Sequence, residues 1–249
     1  MLKVLVNGCL GRMGQEIVQL VQQDPNMELV CGVDQHNSQT ASYPIYCNPN
    51  EVTEKIDVII DFSVPVATLS LLDLAVRHHI PMVIATTGLT EEQMNSIQKA
   101  AKEVPIFQSA NMSFDINLMA KLVAAIAPIL NDTDIEIIET HHNRKIDSPS
   151  GTAIMLADKI NESLGNTYHY EFNRHDKHTK REKKEIGFSS IRGGNIVGEH
   201  TVQFYGPNET FEIKHTSYSR TVFAEGAIKA AKFIVQQKTG MYHMDDLTK

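Results

Sequence analysis

The chain has 249 residues, with 23 Lys and Arg against 30 Asp and Glu, a formal charge of -7 at neutral pH. Its 42% apolar and 21% charged residues suit a globular chain of one large domain or two small ones. The acidic balance argues against general binding to nucleic acid or to a membrane surface, since both are polyanions, but leaves room for a local cationic pocket.

Three cysteines, Cys9, Cys31 and Cys47, form no CxxC pair and cannot all be bridged. They read as buried thiols of a reducing compartment. Met1 leads straight into a strand-like run without the apolar region of a signal peptide. No uncharged apolar run approaches the length of a membrane helix. The expected location is the cytoplasm, with no membrane partner.

The first 110 residues alternate short β-branched runs with amphipathic stretches. Strands are expected over 2–6, 28–33, 57–62, 82–85 and 105–108. A helix with Met13, Ile17, Leu20 and Val21 on one side falls between the first two, and others fit 64–79 and 90–102. This rhythm predicts a doubly wound parallel sheet of α/β class, covered on both faces. The pattern then changes. A helix over 117–130, a strand over 134–139 and a helix over 152–164 precede strand-like runs at 186–191, 196–205 and 210–216. The Val202/Phe204 and Phe211/Ile213 alternations predict an open, mostly antiparallel sheet with one wet face. A last helix over 222–238 is Ala-rich and suited to pack back on the first domain. The expected organisation is a Rossmann-type dinucleotide-binding domain over 1–112, completed by 221–249. A smaller α+β domain with an open mixed sheet, for substrate binding and oligomerisation, spans 113–220. The basic segment 174–184 reads as a mobile loop.

Gly8-Cys9-Leu10-Gly11-Arg12-Met13-Gly14 follows the first strand and opens the first helix. A tight glycine turn there lets a pyrophosphate approach the free N–H groups and positive dipole end of the helix. The spacing is GxxGxxG rather than GxGxxG, and it gains weight from its strand–turn–helix context. Asp34 ends the second strand, where an acid accepts hydrogen bonds from ribose hydroxyls and repels a 2′-phosphate. Gln35 offers no guanidinium and His36 only partial compensation, so NADH is favoured, with NADPH also open. Arg12 reads equally well as a pyrophosphate contact and as a solvated first-turn arginine.

The segment Glu139-Thr140-His141-His142-Asn143-Arg144-Lys145-Ile146-Asp147-Ser148-Pro149-Ser150-Gly151-Thr152-Ala153 gathers imidazoles and cations just after a strand. Ser150, Gly151 and Thr152 then open an apolar helix, a second anion site that lets a carboxylate approach the backbone. Such a combination suits a small acid that must receive a proton. Singly, each residue has an ordinary reading: a loop histidine, a surface lysine, a plain helix start. No metal is expected, because adjacent histidines share a metal poorly and no partner pair has ligand spacing.

Together these residues resemble the signature E-x-H-H-x-x-K-x-D-A-P-S-G-T-A of the dihydrodipicolinate reductase family, with Ser148 in the alanine position. The resemblance extends over essentially the whole chain. Gly8–Gly14 resembles the family's glycine turn, and Asp61-Phe62-Ser63 its D-F-[ST]. Ala85-Thr86-Thr87-Gly88 is similar to a G-T-T-G turn beside the nicotinamide, and Ser109-Ala110-Asn111-Met112-Ser113 to an A-x-N-F-S segment, with Met112 at an aromatic position. Ile191-Arg192-Gly193-Gly194, Gly198-Glu199-His200, His215 and Ser219-Arg220 match its later motifs. The basic 174–184 loop departs from the family pattern.

The resemblance implies NAD(P)H-dependent reduction of 4-hydroxy-tetrahydrodipicolinate (dihydrodipicolinate) to tetrahydrodipicolinate in diaminopimelate and lysine biosynthesis. It makes His141 the proton donor/acceptor and Lys145 a proton donor. His142, Ser150, Gly151, Thr152 and Arg220 hold the substrate's carboxylates. Gly8, Cys9, Leu10, Gly11, Arg12, Met13, Asp34, Ala85, Thr86, Thr87, Ser109, Ala110, Asn111 and Met112 meet the cofactor. It also implies a homotetramer joined by the second domain's sheet, and domain closure around ligands. The competing readings are a related amino- or imino-acid oxidoreductase of the same fold and a non-catalytic nucleotide sensor. The intact His-His-x-x-Lys and Pro-Ser-Gly-Thr argue against both.

Overall fold

The computed structural model describes residues 1–38 and 41–248. It divides into two compact units, Met1–Phe114 with Thr221–Lys249, and Asp115–Arg220; Lys249 itself lies outside the described residues.

In the first unit, β1 (Leu2–Asn7), α1 (Arg12–Gln23), β2 (Met27–Val33), β3 (Ile45–Tyr46), β4 (Val58–Asp61), α2 (Pro65–His78), β5 (Met82–Ile84), α3 (Glu91–Ala100) and β6 (Pro105–Gln108) follow in order. The strands are largely apolar on both faces because the sheet is covered on both sides. Val4 and Val6 pack into one cluster with Val58, Ile60, Val83 and Phe107. Leu5, Ile59, Met82, Ile84 and Ile106 pack into another, with Leu71 and Ile97 of the helices. Local signals set the helix ends. Pro65 occupies the first turn of α2, and His79 closes it in the left-handed conformation at φ 53°. Thr90 and Gln93 form a reciprocal capping box on α3.

The second unit contains α4 (Phe114–Ile126, from its second residue), β7 (Asp134–His141), α5 (Gly151–Ser163), β8 (His169–Glu171), β9 (Glu185–Arg192), β10 (Gly198–Tyr205) and β11 (Thr210–Ser217). The chain then returns to the first unit through α6 (Thr221–Ile234) and β12 (Gly240–Tyr242). The first sheet has the order β12-β6-β5-β4-β1-β2-β3, parallel throughout. This is a Rossmann-type doubly wound sheet whose strand order reverses between β1 and β4. Ligands of such sheets bind outside the carboxyl ends of the strands at that reversal.

The second sheet runs β11-β10-β7-β9-β8. It is the mixed sheet expected for this domain, and it corrects the mostly antiparallel pairing read from the alternations. β10 pairs antiparallel with β7 and β11, whereas β7–β9 and β8–β9 are parallel. Alternation along a strand reports which face is buried, not strand direction. Here the crossover through α5 brings β9 back parallel to β7. Ile135, Ile137, Val202 and Phe204 face α4 and α5 in one core.

One further expectation is corrected. Cys9 and Cys31 are buried, but Cys47 is exposed in the bend after β3. The basic 174–184 segment is a loop whose cations meet acids of neighbouring strands. Arg174 pairs with Glu136 and Glu185. Arg181 bonds Glu136 and the carbonyls of Ile135 and Glu185, and Lys177 meets Glu171.

Candidate active site

In the first unit, the turns after β1, β2, β5 and β6 carry the residues singled out for a cofactor. Gly8 has φ 74°, and a Cβ there would stand 2.6 Å from the Phe62 carbonyl oxygen. A Cβ on Gly14 would come within 2.0 Å of the Gly8 carbonyl oxygen. Only glycine lets this turn close onto both α1 and the neighbouring strand. Gly11 caps α1 without a side-chain hydrogen bond, and no acid occupies the first turn. The N–H groups of that turn, which have no acceptor inside the helix, remain available to an anion. Asp34 stands beside them, its Oδ2 accepting the Leu10 N–H at 3.0 Å. This backbone cradle with an adjacent carboxylate fits the pyrophosphate and ribose of a pyridine nucleotide. Leu10 and Met13 are half-buried and Arg12 is exposed.

Several predicted cofactor residues reach any ligand by main chain only. Cys9 is fully buried, and burial pushes its thiol up to about 11. The Met112 side chain packs in the core. The Thr86 hydroxyl donates to Asp61 Oδ2 at 2.9 Å and accepts the Ser63 N–H at 3.3 Å. Asp61 is the hub of that edge. It also accepts from Asn7 at 2.7 Å, Ser63 at 2.5 Å and Thr68 at 2.6 Å. Burial raises its pKa against those hydrogen bonds. Ala85 donates its N–H to the Asp61 carbonyl at 2.9 Å, while Thr87 is exposed. Ser109, Asn111 and Ser113 are tied into one turn by Ser109 Oγ to the Asn111 carbonyl at 2.8 Å and Ser113 N to Asn111 Oδ1 at 2.9 Å. Ala110 is exposed in it.

The second cluster forms where β7 ends. Period-two alternation puts Glu139 and His141 on the helix-covered face, Glu139 fully buried and His141 8% exposed. Register aligns Glu139 with Ser190 on one side and His200 on the other, and His200 with His215. His141 Nδ1 lies 2.5 Å from Glu139 Oε2. Arg192 grips the same carboxylate with both terminal nitrogens, at 2.8 and 2.7 Å, and donates to the Asp147 carbonyl at 2.7 Å. The Ser150 N–H donates to Glu139 Oε1 at 3.1 Å. Ser150 Oγ caps α5 through Ala153 N and sits 2.8 Å from His200 Nε2. The His141 and His200 rings meet edge to face at 5.1 Å. A Cβ on Gly198 would stand 3.0 Å from His141 Nε2, so its absence keeps that nitrogen clear.

Around this core, Lys145 Nζ pairs with Asp147 Oδ1 at 2.8 Å. His142 Nδ1 is buried without a partner among the described residues. Nothing lies within 4 Å of an added Cβ at Gly151, leaving open space at the first residue of α5; Thr152 follows in the same turn. Arg220, exposed after β11, takes no part in these contacts.

Electrostatics follow from the burial. Burial would lift the Glu139 carboxyl, but hydrogen bonds from Arg192, Ser190 and His141 hold it down at about 2. Burial, opposed by Glu139, lowers His141. Burial and the neighbouring His141 press His200 down to about 3. Both Glu139 and His200 have folded values below their unfolded ones, so each favours the fold at neutral pH and loses that contribution as pH falls. For His200 the loss spans the window from about 6.5 down to about 3. Denaturant titrations of wild type and His200→Gln between pH 6.5 and 4.5 should differ in slope by about one proton, wild type being the steeper. Identical slopes would mean His200 is not buried as the neutral ring.

The chain's likenesses agree with this geometry. The family description "Dihydrodipicolinate reductase, N-terminus" matches residues 2–112, and "Dihydrodipicolinate reductase, C-terminus" matches 115–248. The chain belongs to the dihydrodipicolinate reductase family. Relatives named 4-hydroxy-tetrahydrodipicolinate reductase include one from Caldanaerobacter subterraneus, 48% identical and covering 100% of this chain and 99% of its own. Another, from Clostridium tetani, is 44% identical, covering 98% and 96%. The solved dipicolinate-bound dihydrodipicolinate reductase of Paenisporosarcina sp. TG-14 is 28% identical, with a TM-score of 0.83 over 98% of this chain and 97% of that one. The family's C-terminal match includes α6 and β12, which pack within the first compact unit. Reading motifs alone gave Arg192 and His200 no role. The signal that finds them is strand register, which sets both beside the Glu139–His141 pair.

Proposed function

We infer that the chain is a pyridine-nucleotide-dependent oxidoreductase that reduces 4-hydroxy-tetrahydrodipicolinate to tetrahydrodipicolinate, the step its family performs in diaminopimelate and lysine biosynthesis. The observation that carries the reading is the buried Glu139–His141 pair beside Lys145 and the open helix start at Ser150-Gly151-Thr152. NAD(P)H, when bound, supplies the hydride. Gly8, Leu10, Gly11, Arg12 and Met13 hold its pyrophosphate, largely by main chain, and Asp34 holds the adenosine ribose through the oxygen that Leu10 leaves free. Ala85, Thr86 and Thr87, with Ser109 to Met112, form the wall toward the nicotinamide.

His142, Ser150, Gly151 and Thr152 receive a substrate carboxylate, with Arg220 as a further cation. The substrate's 4-hydroxyl leaves as water, and reduction of the conjugated imine that results leaves electron density on a carbon that must take up a proton. His141 Nε2 exchanges that proton, and Lys145, held by Asp147, serves as a second donor. A carboxylate at Asp34 disfavours a 2′-phosphate, so NADH is preferred over NADPH. The same reading includes a homotetramer joined through the open face of the second sheet, where Ile191 is 51% and Tyr205 39% exposed. It also includes a cytoplasmic location; among the described residues no helix is long and apolar enough to cross a membrane.

Oxidation of NADH and NADPH followed at 340 nm, with substrate formed in situ from pyruvate and aspartate semialdehyde, tests this directly. Turnover with both cofactors, faster at low concentration with NADH, is expected. Folded protein that binds NADH but turns over neither cofactor contradicts the reaction, and a preference for NADPH contradicts the role of Asp34.

A further inference from the structure

Glu139 is fully buried and is met by donors: His141 Nδ1, both terminal nitrogens of Arg192, the Ser150 N–H and the Ser190 side chain. An ionised carboxylate is acceptor-only, and its two oxygens can receive all of them. An amide of the same shape would turn its NH2 toward at least one of these donors. The arrangement therefore needs a charged glutamate, and its geometry has a consequence for the neighbouring ring. A neutral imidazole carries its proton on one nitrogen only. With a carboxylate oxygen 2.5 Å from Nδ1, a bare Nδ1 lone pair would face a negative oxygen, so the proton stays on Nδ1.

We propose that Glu139 is the positioning residue for the reductase reaction: it holds His141 as the Nδ1–H tautomer and leaves Nε2 as the nitrogen that exchanges a proton with the substrate. This rests on the reductase reading for its consequence in turnover, but not for the tautomer itself. Nε2 takes a proton from Lys145 or solvent, giving the imidazolium, and passes it to the substrate carbon, returning the neutral ring. Nδ1 keeps its proton throughout, and Glu139 stabilises the transient cation. Gly198 fits this direction of transfer, because a side chain there would crowd Nε2.

Arg192 fixes the carboxylate in turn. Its two terminal nitrogens set the carboxylate plane, and its bond to the Asp147 carbonyl ties the loop that carries Lys145 to the same anchor. A buried ion pair contributes little net stability, since desolvation offsets the attraction. Fixing an orientation is the use such a pair serves well. Ser150 completes the unit by donating its N–H to Glu139 while its hydroxyl meets His200, so the helix start that receives a carboxylate and the proton-exchanging ring share one buried anchor.

The test has two independent readouts. Nitrogen-15 NMR of histidine-labelled wild type near pH 8, with His141→Gln to assign the signal, should show Nδ1 protonated and Nε2 bare. In Glu139→Gln the Nε2–H form should gain population and kcat should fall about 10- to 100-fold, with KM changed less than about threefold. The alkaline limb of the kcat–pH profile should also move to lower pH, because loss of the carboxylate weakens the imidazolium that donates the proton. Wild-type His141 found as the Nε2–H tautomer overturns the proposal. So does a folded Glu139→Gln enzyme with wild-type kcat and pH profile. If that variant does not fold, the wild-type spectrum decides alone. Absence of turnover by wild type would count against the reductase reading and leave the tautomer result standing.

Discussion

His141→Gln should lower kcat by about two to four orders of magnitude, while NADH binding and Tm stay close to wild type. Glutamine is near in length and can donate its amide N–H to Glu139, so the buried carboxylate keeps a partner. What disappears is a nitrogen that can gain and lose a proton near neutral pH. Lys145 remains as a cation 21% exposed in its side chain and paired with Asp147, which stabilises charge but replaces the ring poorly as a relay. Steady-state kinetics with the in situ substrate, beside fluorescence titration of NADH, separates the effects. A kcat within about threefold of wild type would remove His141 from proton transfer. Loss of NADH binding would instead point to a structural defect.

The first unit was legible from sequence because a parallel sheet covered on both faces leaves continuous apolar strands, and these separate cleanly from amphipathic helices such as the one bearing Ile17 and Val21. The edge strands β3, β8 and β12, of two or three residues each, were not legible, since so few residues carry no period. In the second unit, Val202 and Phe204 announced a half-buried strand but not its partner. Strand direction there depends on the crossover through α5, a tertiary fact. The active-site residues divide the same way. His141, Lys145 and the Ser150-Gly151-Thr152 helix start lie within one segment and were visible as a motif. Arg192 and His200 lie about fifty residues further on and reach Glu139 only through strand pairing. The ion pairs of the basic 174–184 loop were not legible, because Glu136, Glu171 and Glu185, which its cations meet, come from neighbouring strands.

Gly226→Ala should destabilise the protein by roughly 2–3 kcal/mol and lower Tm by about 4–12 °C. Gly226 lies buried in α6, and a Cβ there would stand 1.7 Å from the Met112 carbonyl oxygen and 2.8 Å from its carbon. Both are backbone atoms of the first unit, so no side-chain rotation relieves the overlap; the helix or the 109–113 turn must move. Alanine's helix preference would favour the variant by about 1 kcal/mol, whereas a 1.7 Å overlap with a fixed carbonyl belongs at or above the top of the usual overpacking range, about 3–4 kcal/mol. The clash wins. Because Met112 lies in the turn assigned to the nicotinamide wall, the apparent affinity for NADH should weaken along with stability. Gly151→Ala is the matched control for the fold: with no atom within 4 Å of the new Cβ, its Tm should hold or rise slightly. Thermal unfolding of both variants decides the matter. A Gly226→Ala Tm within about 2 °C of wild type would show that the 109–113 turn yields freely, and that the close approach of α6 does not fix its position.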